Sequence, residues 1–149
     1  VMNRTWVDVP NARTVHGGIV AGGRPTSEHL RQAKAEGLES VIDLCAPCER
    51  NDFDEAVVAR GLGLHYTAIP ISGPADLNRD NAVRLAEALR RAAGKSVLVH
   101  CAGGNRAAAL LALKAYFVDG LSQEKSVEIG RAAGLSYLEP QLRRALAGL

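Results

Sequence analysis

The run Val97-Leu98-Val99-His100-Cys101-Ala102-Gly103-Gly104-Asn105-Arg106 requires a buried strand, a glycine loop and a helix in immediate succession. Val97 to Val99 follow the turn signal Gly94-Lys95-Ser96 and form a short aliphatic run, the pattern of a parallel strand covered on both faces. That strand ends at His100. From Arg106 onward, Ala107, Ala108, Ala109, Leu110, Leu111, Ala112 and Leu113 are strong helix formers and apolar nearly all round, so this helix is expected inside the domain. The loop therefore points at a helix start, where unpaired N–H groups and a partial positive charge hold an anion. The same field favours the thiolate of a cysteine placed there, which makes Cys101 the candidate nucleophile. Gly103 and Gly104 permit the left-handed backbone that turns successive N–H groups inward. Ala102, Gly103, Gly104 and Asn105 are the expected anion-binding loop, and Arg106 adds a planar fork matched to two oxygens of an oxyanion.

Elsewhere strand and helix patterns alternate, which predicts an α/β domain with a central, mostly parallel sheet of four to five strands and helices on both faces. Ile19 to Ala21 reads as a strand, and Thr26 or Ser27 caps a helix that runs to Glu36 and stops at Gly37. Ser40 to Leu44 is the next strand. A helix from about Phe53 to Arg60 ends at Gly61, and a strand from Leu64 to Ile69 is closed by Pro70. Asn78 to Ala93 forms a long amphipathic helix with Ala82, Leu85, Ala86, Leu89 and Ala93 on one face, ended by Gly94. Asp119-Gly120 turns the chain into a helix capped by Ser122, and Glu139-Pro140 starts the last one. With 149 residues and 47% hydrophobic content, the chain is one domain, 1–149, around a single core.

Parallel strands ending at Leu44, Ile71 and His100 bring their following loops to one sheet edge, where α/β proteins bind ligands. Cys45-Ala46-Pro47-Cys48 and Ser72 to Asp80 are thus expected near Cys101. Cys45 could form a disulfide with Cys101 or a redox pair with Cys48. The alternative is that Cys45 is a small strand-end residue and Cys48 an ordinary loop thiol. One Cys-x-x-Cys without a second ligand pair does not indicate zinc, so no metal site is expected.

His100-Cys101-x-x-Gly104-x-Arg106 resembles the signature of cysteine-dependent protein phosphatases of the dual-specificity type. Gly22-Gly23-Arg24-Pro25, Val41 to Leu44, Asp54-Glu55-Ala56, Tyr66 to Ile71 and Gly130 to Leu135 resemble, in order, a bacterial branch of that superfamily. That branch is the phosphatase domain of beta-lactamase-hydrolase-like proteins. The resemblance implies a single-domain, three-layer phosphatase-like fold and a hydrolase that cleaves phosphomonoesters, protein phosphotyrosine among them, through a phosphocysteine, and the departures described next predict that its turnover is slow. It implies no cofactor and a phosphorylated protein or small molecule as substrate. His100 is then a supporting residue whose ring bonds the loop and steers the cysteine.

Three departures from the family fall on the chemistry. Four residues, not five, separate Cys101 from Arg106; Ala107 replaces the usual hydroxyl; and Gly73 stands where an aspartate general acid is common. Asp76 is the next candidate acid, with Asp80 behind it, unless Asp76 is the N-cap of the following helix. The short spacer resembles instead the loop of rhodanese-type sulfurtransferases, in which a Cys101 persulfide would carry sulfur. A non-catalytic anion-binding module is the third possibility.

Composition excludes other classes. Eighteen basic and sixteen acidic residues are interspersed, with only Arg90-Arg91 and Arg143-Arg144 as basic doublets, so nucleic-acid binding has no electrostatic footprint. No apolar run approaches the roughly 20 residues of a membrane span, and no signal-peptide layout opens the sequence. A cytoplasmic setting is expected. His16, which lies outside the residues described below, His29 and His65 are expected on the surface or on strands, and Arg24 and Arg131 either add positive charge to the pocket or, by default, are solvated.

Overall fold

A computed structural model describes residues 9–15, 18–49, 53–93 and 96–149. Five strands form one sheet: β1 (Arg13–Val15), β2 (Ile19–Gly22), β3 (Ser40–Asp43), β4 (His65–Ala68) and β5 (Val97–His100). Their order across the sheet is β1-β2-β5-β3-β4, and all pairings are parallel except β1 with β2. β5 is central because all four of its residues are buried, as the aliphatic run required. The parallel sheet matches expectation. The antiparallel edge strand β1 was not anticipated, since Arg13-Thr14-Val15 is too short and polar to announce itself.

Side chains on β5 alternate between two cores. Val97 and Val99 face one layer with Leu85, Leu110 and Leu113, whereas Leu98 joins Val20, Val41, Leu30 and Leu38 in the other. Helices α1 (Ser27–Ala35) and α2 (Glu55–Gly61) cover the second face. The first face carries α3 (Arg79–Arg91), α4 (Asn105–Phe117), α5 (Gln123–Ala132) and α6 (Glu139–Leu146). Helix α4 lies innermost, with every residue from Ala107 to Leu113 buried, as its nearly uniform apolarity predicts. Among the described residues, no helix is long and apolar enough to cross a membrane.

The helix ends show why the chain turns where it does. Thr26 and His29 form a reciprocal capping box, each bonding the other's backbone N–H at 3.0 Å, which gives His29 a structural role that its sequence context did not reveal. Asp54, Asn78 and Ser122 cap α2, α3 and α5 through side-chain oxygens. Asn78, not Asp76, is thus the cap of α3; Asp76 lies in a short 3-10 turn, Pro74–Asp76. The expected stop at Gly94 lies outside the described residues.

Candidate active site

The loop after β5 is shaped by two glycines and pinned from the side. Gly104 adopts φ +103, which an L side chain rarely reaches, and so it turns its N–H onto Cys101 Sγ at 3.0 Å. Asn11 Nδ2 donates to the Gly103 carbonyl (2.9 Å), and the Arg24 N–H donates to the Ala102 carbonyl (3.1 Å). Gly23 allows this approach: a Cβ there would sit 2.7 Å from the Ala102 carbonyl oxygen. Cys101 itself is buried, and its N–H donates to the Gly22 carbonyl. At the start of α4, the N–H groups of Asn105 and Arg106 precede the first intrahelical acceptor, as in any first helical turn. The Cys101 thiol with its Gly104 amide stands at one end of the loop and Arg106 at the other, in the first turn of α4.

Arg106 is not left open. Its two terminal nitrogens each lie 2.7 Å from a carboxylate oxygen of Glu49, and Nη1 also donates to the Ile71 carbonyl at 2.7 Å. Such a forked, charge-assisted pair is among the stronger polar contacts in proteins. The Arg106 guanidinium, seconded by the Ala46 N–H, holds the Glu49 carboxyl down to about 2 in spite of its partial burial. Arg24 comes to the same place, with Nη2 at 3.8 Å from Glu49 Oε2 and 3.5 Å from Cys45 Sγ. It is therefore part of the mouth and not a solvated surface arginine. Arg131, by contrast, is exposed and pairs with Glu139.

Asn105 has two functions at once. Its N–H opens α4 at the loop, while its side chain turns away: Oδ1 accepts from the Ser136 and Leu138 N–H groups at 2.8 and 3.2 Å, and Nδ2 donates to Ser136 Oγ. The Asp76 carboxylate accepts from the Ser72 N–H at 2.8 Å, and Ser72 directly follows the residue whose carbonyl binds Arg106. This places Asp76 on the segment that borders the arginine. Cys101 is buried, Cys45 half-buried and Cys48 exposed, and all three are free thiols.

Beneath the loop lies a buried polar network. His100, fully buried, directs Nδ1 to the Cys101 carbonyl at 3.2 Å and Nε2 to Glu55 Oε2 at 2.5 Å, with Asp43 Oδ1 at 3.7 Å. Burial alone disfavours a charged ring, but contacts with Cys45, Glu55 and Asp43 outweigh it and raise His100 to about 10. Tyr66 donates its hydroxyl to Asp43 Oδ2 at 2.6 Å, and burial followed by that carboxylate pushes its titration above the usual range. The expected bond from His100 to the loop is present. Glu49, Asp43 and Glu55 had been given no role; the last two lie in segments that carry the family resemblance, which marks them without saying what they touch.

No family model matches the chain. A Beta-lactamase hydrolase-like protein of Xylella fastidiosa is 32% identical over 125 residues, which is 78% of this chain and 27% of that protein. The chain thus spans about a quarter of the length of the curated relatives it matches. Among solved structures, a candidate phosphatase from Neisseria meningitidis superposes with a TM-score of 0.72 at 18% identity, covering 93% of this chain and 97% of that one. TpbA of P. aeruginosa, solved in complex with phosphotyrosine, gives 0.65 at 15% identity over 99% and 87%. The chain has the fold of the cysteine-dependent phosphatases, and its sequence is similar to one part of the beta-lactamase hydrolase-like proteins.

Proposed function

We propose that this protein is a cysteine-dependent phosphatase for phosphomonoesters of proteins or small molecules, with phosphotyrosine-like substrates preferred. The single observation that carries the reading is the Gly104 N–H aimed at Cys101 Sγ on a loop that also presents Arg106. In this reaction the Cys101 thiolate attacks phosphorus in line, and the bond to the leaving oxygen breaks as the sulfur–phosphorus bond forms. The amides of Ala102, Gly103, Asn105 and Arg106, with the Arg106 guanidinium, hold the equatorial oxygens. Water then attacks the phosphocysteine and releases phosphate. Asp76 is the residue we assign to protonate the leaving oxygen, because it borders the segment that touches Arg106. His100 takes no part in proton transfer; it orients the loop through the Cys101 carbonyl.

Ala107 in place of a hydroxyl, the short loop and the Glu49 clasp on Arg106 all favour slow turnover and good leaving groups. The complex of TpbA with phosphotyrosine supports the substrate class, and the bacterial relatives support a bacterial source. The test is a pair of assays on the wild type and Cys101→Ser: aryl phosphate hydrolysis, and thiosulfate plus cyanide. Phosphate release that the variant loses supports the proposal. Thiocyanate formation without phosphate release would assign sulfur transfer, and tight sulfate binding with neither activity would assign a binding module.

A further inference from the structure

A second cluster of ligand-type side chains lies directly beneath the candidate active site, behind a cleft that Glu49 also lines. Asp43, Cys45 and His100 each offer a donor atom, and these atoms lie within 4.8 Å of one another. Glu55 Oε2 sits against the same nitrogen of His100. Asp43, Cys45 and Glu55 line a cleft of about 690 Å³ together with Tyr66 and Glu49, and His100 lies fully buried behind them. We infer that Asp43, Cys45, His100 and Glu55 bind a borderline divalent transition ion of the Zn2+ type, at a site that does not use the Cys101 thiol but is joined to its loop through His100.

The donor set decides the class of ion. One thiolate, one imidazole and two carboxylates suit Zn2+ or Co2+ and not Mg2+ or Ca2+, which take oxygen alone. The geometry is close to what such an ion needs: two ligands about 2.0–2.1 Å from zinc in a tetrahedron lie roughly 3.4 Å apart, and His100 Nε2 is 3.7 Å from Asp43 Oδ1. His100 and Glu55, now in a hydrogen bond, have to separate by about an ångström, with the ion replacing the proton between them.

Surrounding groups are arranged as metal sites arrange them. The Nδ1 side of His100 is engaged by the Cys101 carbonyl, which fixes the tautomer that leaves Nε2 as the ligand atom. The Tyr66 hydroxyl bonds Asp43 Oδ2 and turns Oδ1 toward His100. Three anionic ligands around a dication leave one net negative charge, and the Arg24 guanidinium, 3.5 Å from Cys45 Sγ, is placed to offset it.

The test uses the full chain, reduced and freed of metal with a chelator, titrated with Co2+. One equivalent is expected to give a thiolate-to-cobalt charge-transfer absorption that Zn2+ displaces. Cys45→Ser should abolish the band, and the Cys48→Ser/Cys101→Ser double variant, whose only thiol is Cys45, should keep it. Tyr66→Phe, which leaves every ligand in place, should weaken binding about tenfold. No band in the wild type, a band that survives Cys45→Ser, or one missing from the double variant overturns the assignment. Aryl phosphate turnover of the metal-free protein is measured separately, so failure here leaves the phosphatase proposal standing, and the reverse.

Discussion

Glu49 grips Arg106 by both terminal nitrogens at 2.7 Å, so the fork that an oxyanion needs is already filled by a carboxylate of the same chain. An incoming phosphate therefore competes with an internal anion. Glu49→Gln removes the charge and keeps the shape, and tungstate should inhibit aryl phosphate hydrolysis about five- to tenfold more tightly in that variant, consistent with loss of about 1 kcal/mol of competing charge-assisted bonding. Weaker tungstate binding would instead show that Glu49 serves to hold Arg106 in place.

The same contact predicts a pH dependence of stability. Arg106 holds the folded-state titration of Glu49 down to about 2, from 4.5. A depressed carboxylate stabilises the fold above its unfolded value, because the unfolded chain takes up the proton first as the pH falls. The stability difference between wild type and Glu49→Gln should therefore be constant above about pH 5 and fade as the pH drops from about 4.5 toward 2. Urea unfolding of both proteins across that range measures it.

Much of this arrangement was legible in the sequence, and what escaped was of one kind. The succession of strands and helices along the chain and the burial of α4 each follow from patterns within single short segments, which local chemistry fixes. The Glu49 clasp and the grouping of Asp43, Glu55 and Tyr66 around His100 join residues from separate elements, and no spacing rule links them. β1 was missed because an edge strand of three residues carries too little periodicity. The cap of α3 is Asn78 and not Asp76, because Pro74–Asp76 closes a separate 3-10 turn whose presence no local pattern announces.

Gly23 tests the geometry of the loop. A Cβ at this position would stand 2.7 Å from the Ala102 carbonyl oxygen and 3.1 Å from that of Pro10, both backbone atoms with little freedom to yield. Gly23→Ala should displace the loop by a fraction of an ångström and lower kcat by about tenfold or more, since a 1 Å misplacement can cost 10²-fold. Unaltered kinetics would mean that the loop tolerates the shift.

Asn105 joins the loop to the α5–α6 turn. Its buried amide accepts two backbone N–H groups, and both lose their partner in Asn105→Ala. Stability should fall by about 1–3 kcal/mol, read as a lower urea midpoint at unchanged m-value. Asn105→Asp, which keeps the acceptor oxygen, should recover most of the loss.

The most direct test of the account is to trap the covalent intermediate. Protein mixed with an excess of aryl phosphate and quenched in acid within the first turnover should carry a phosphoryl group on the peptide containing Cys101, found by mass spectrometry and absent in Cys101→Ser. Phosphate release that proceeds with no adduct on Cys101, or that continues undiminished in the serine variant, would contradict it.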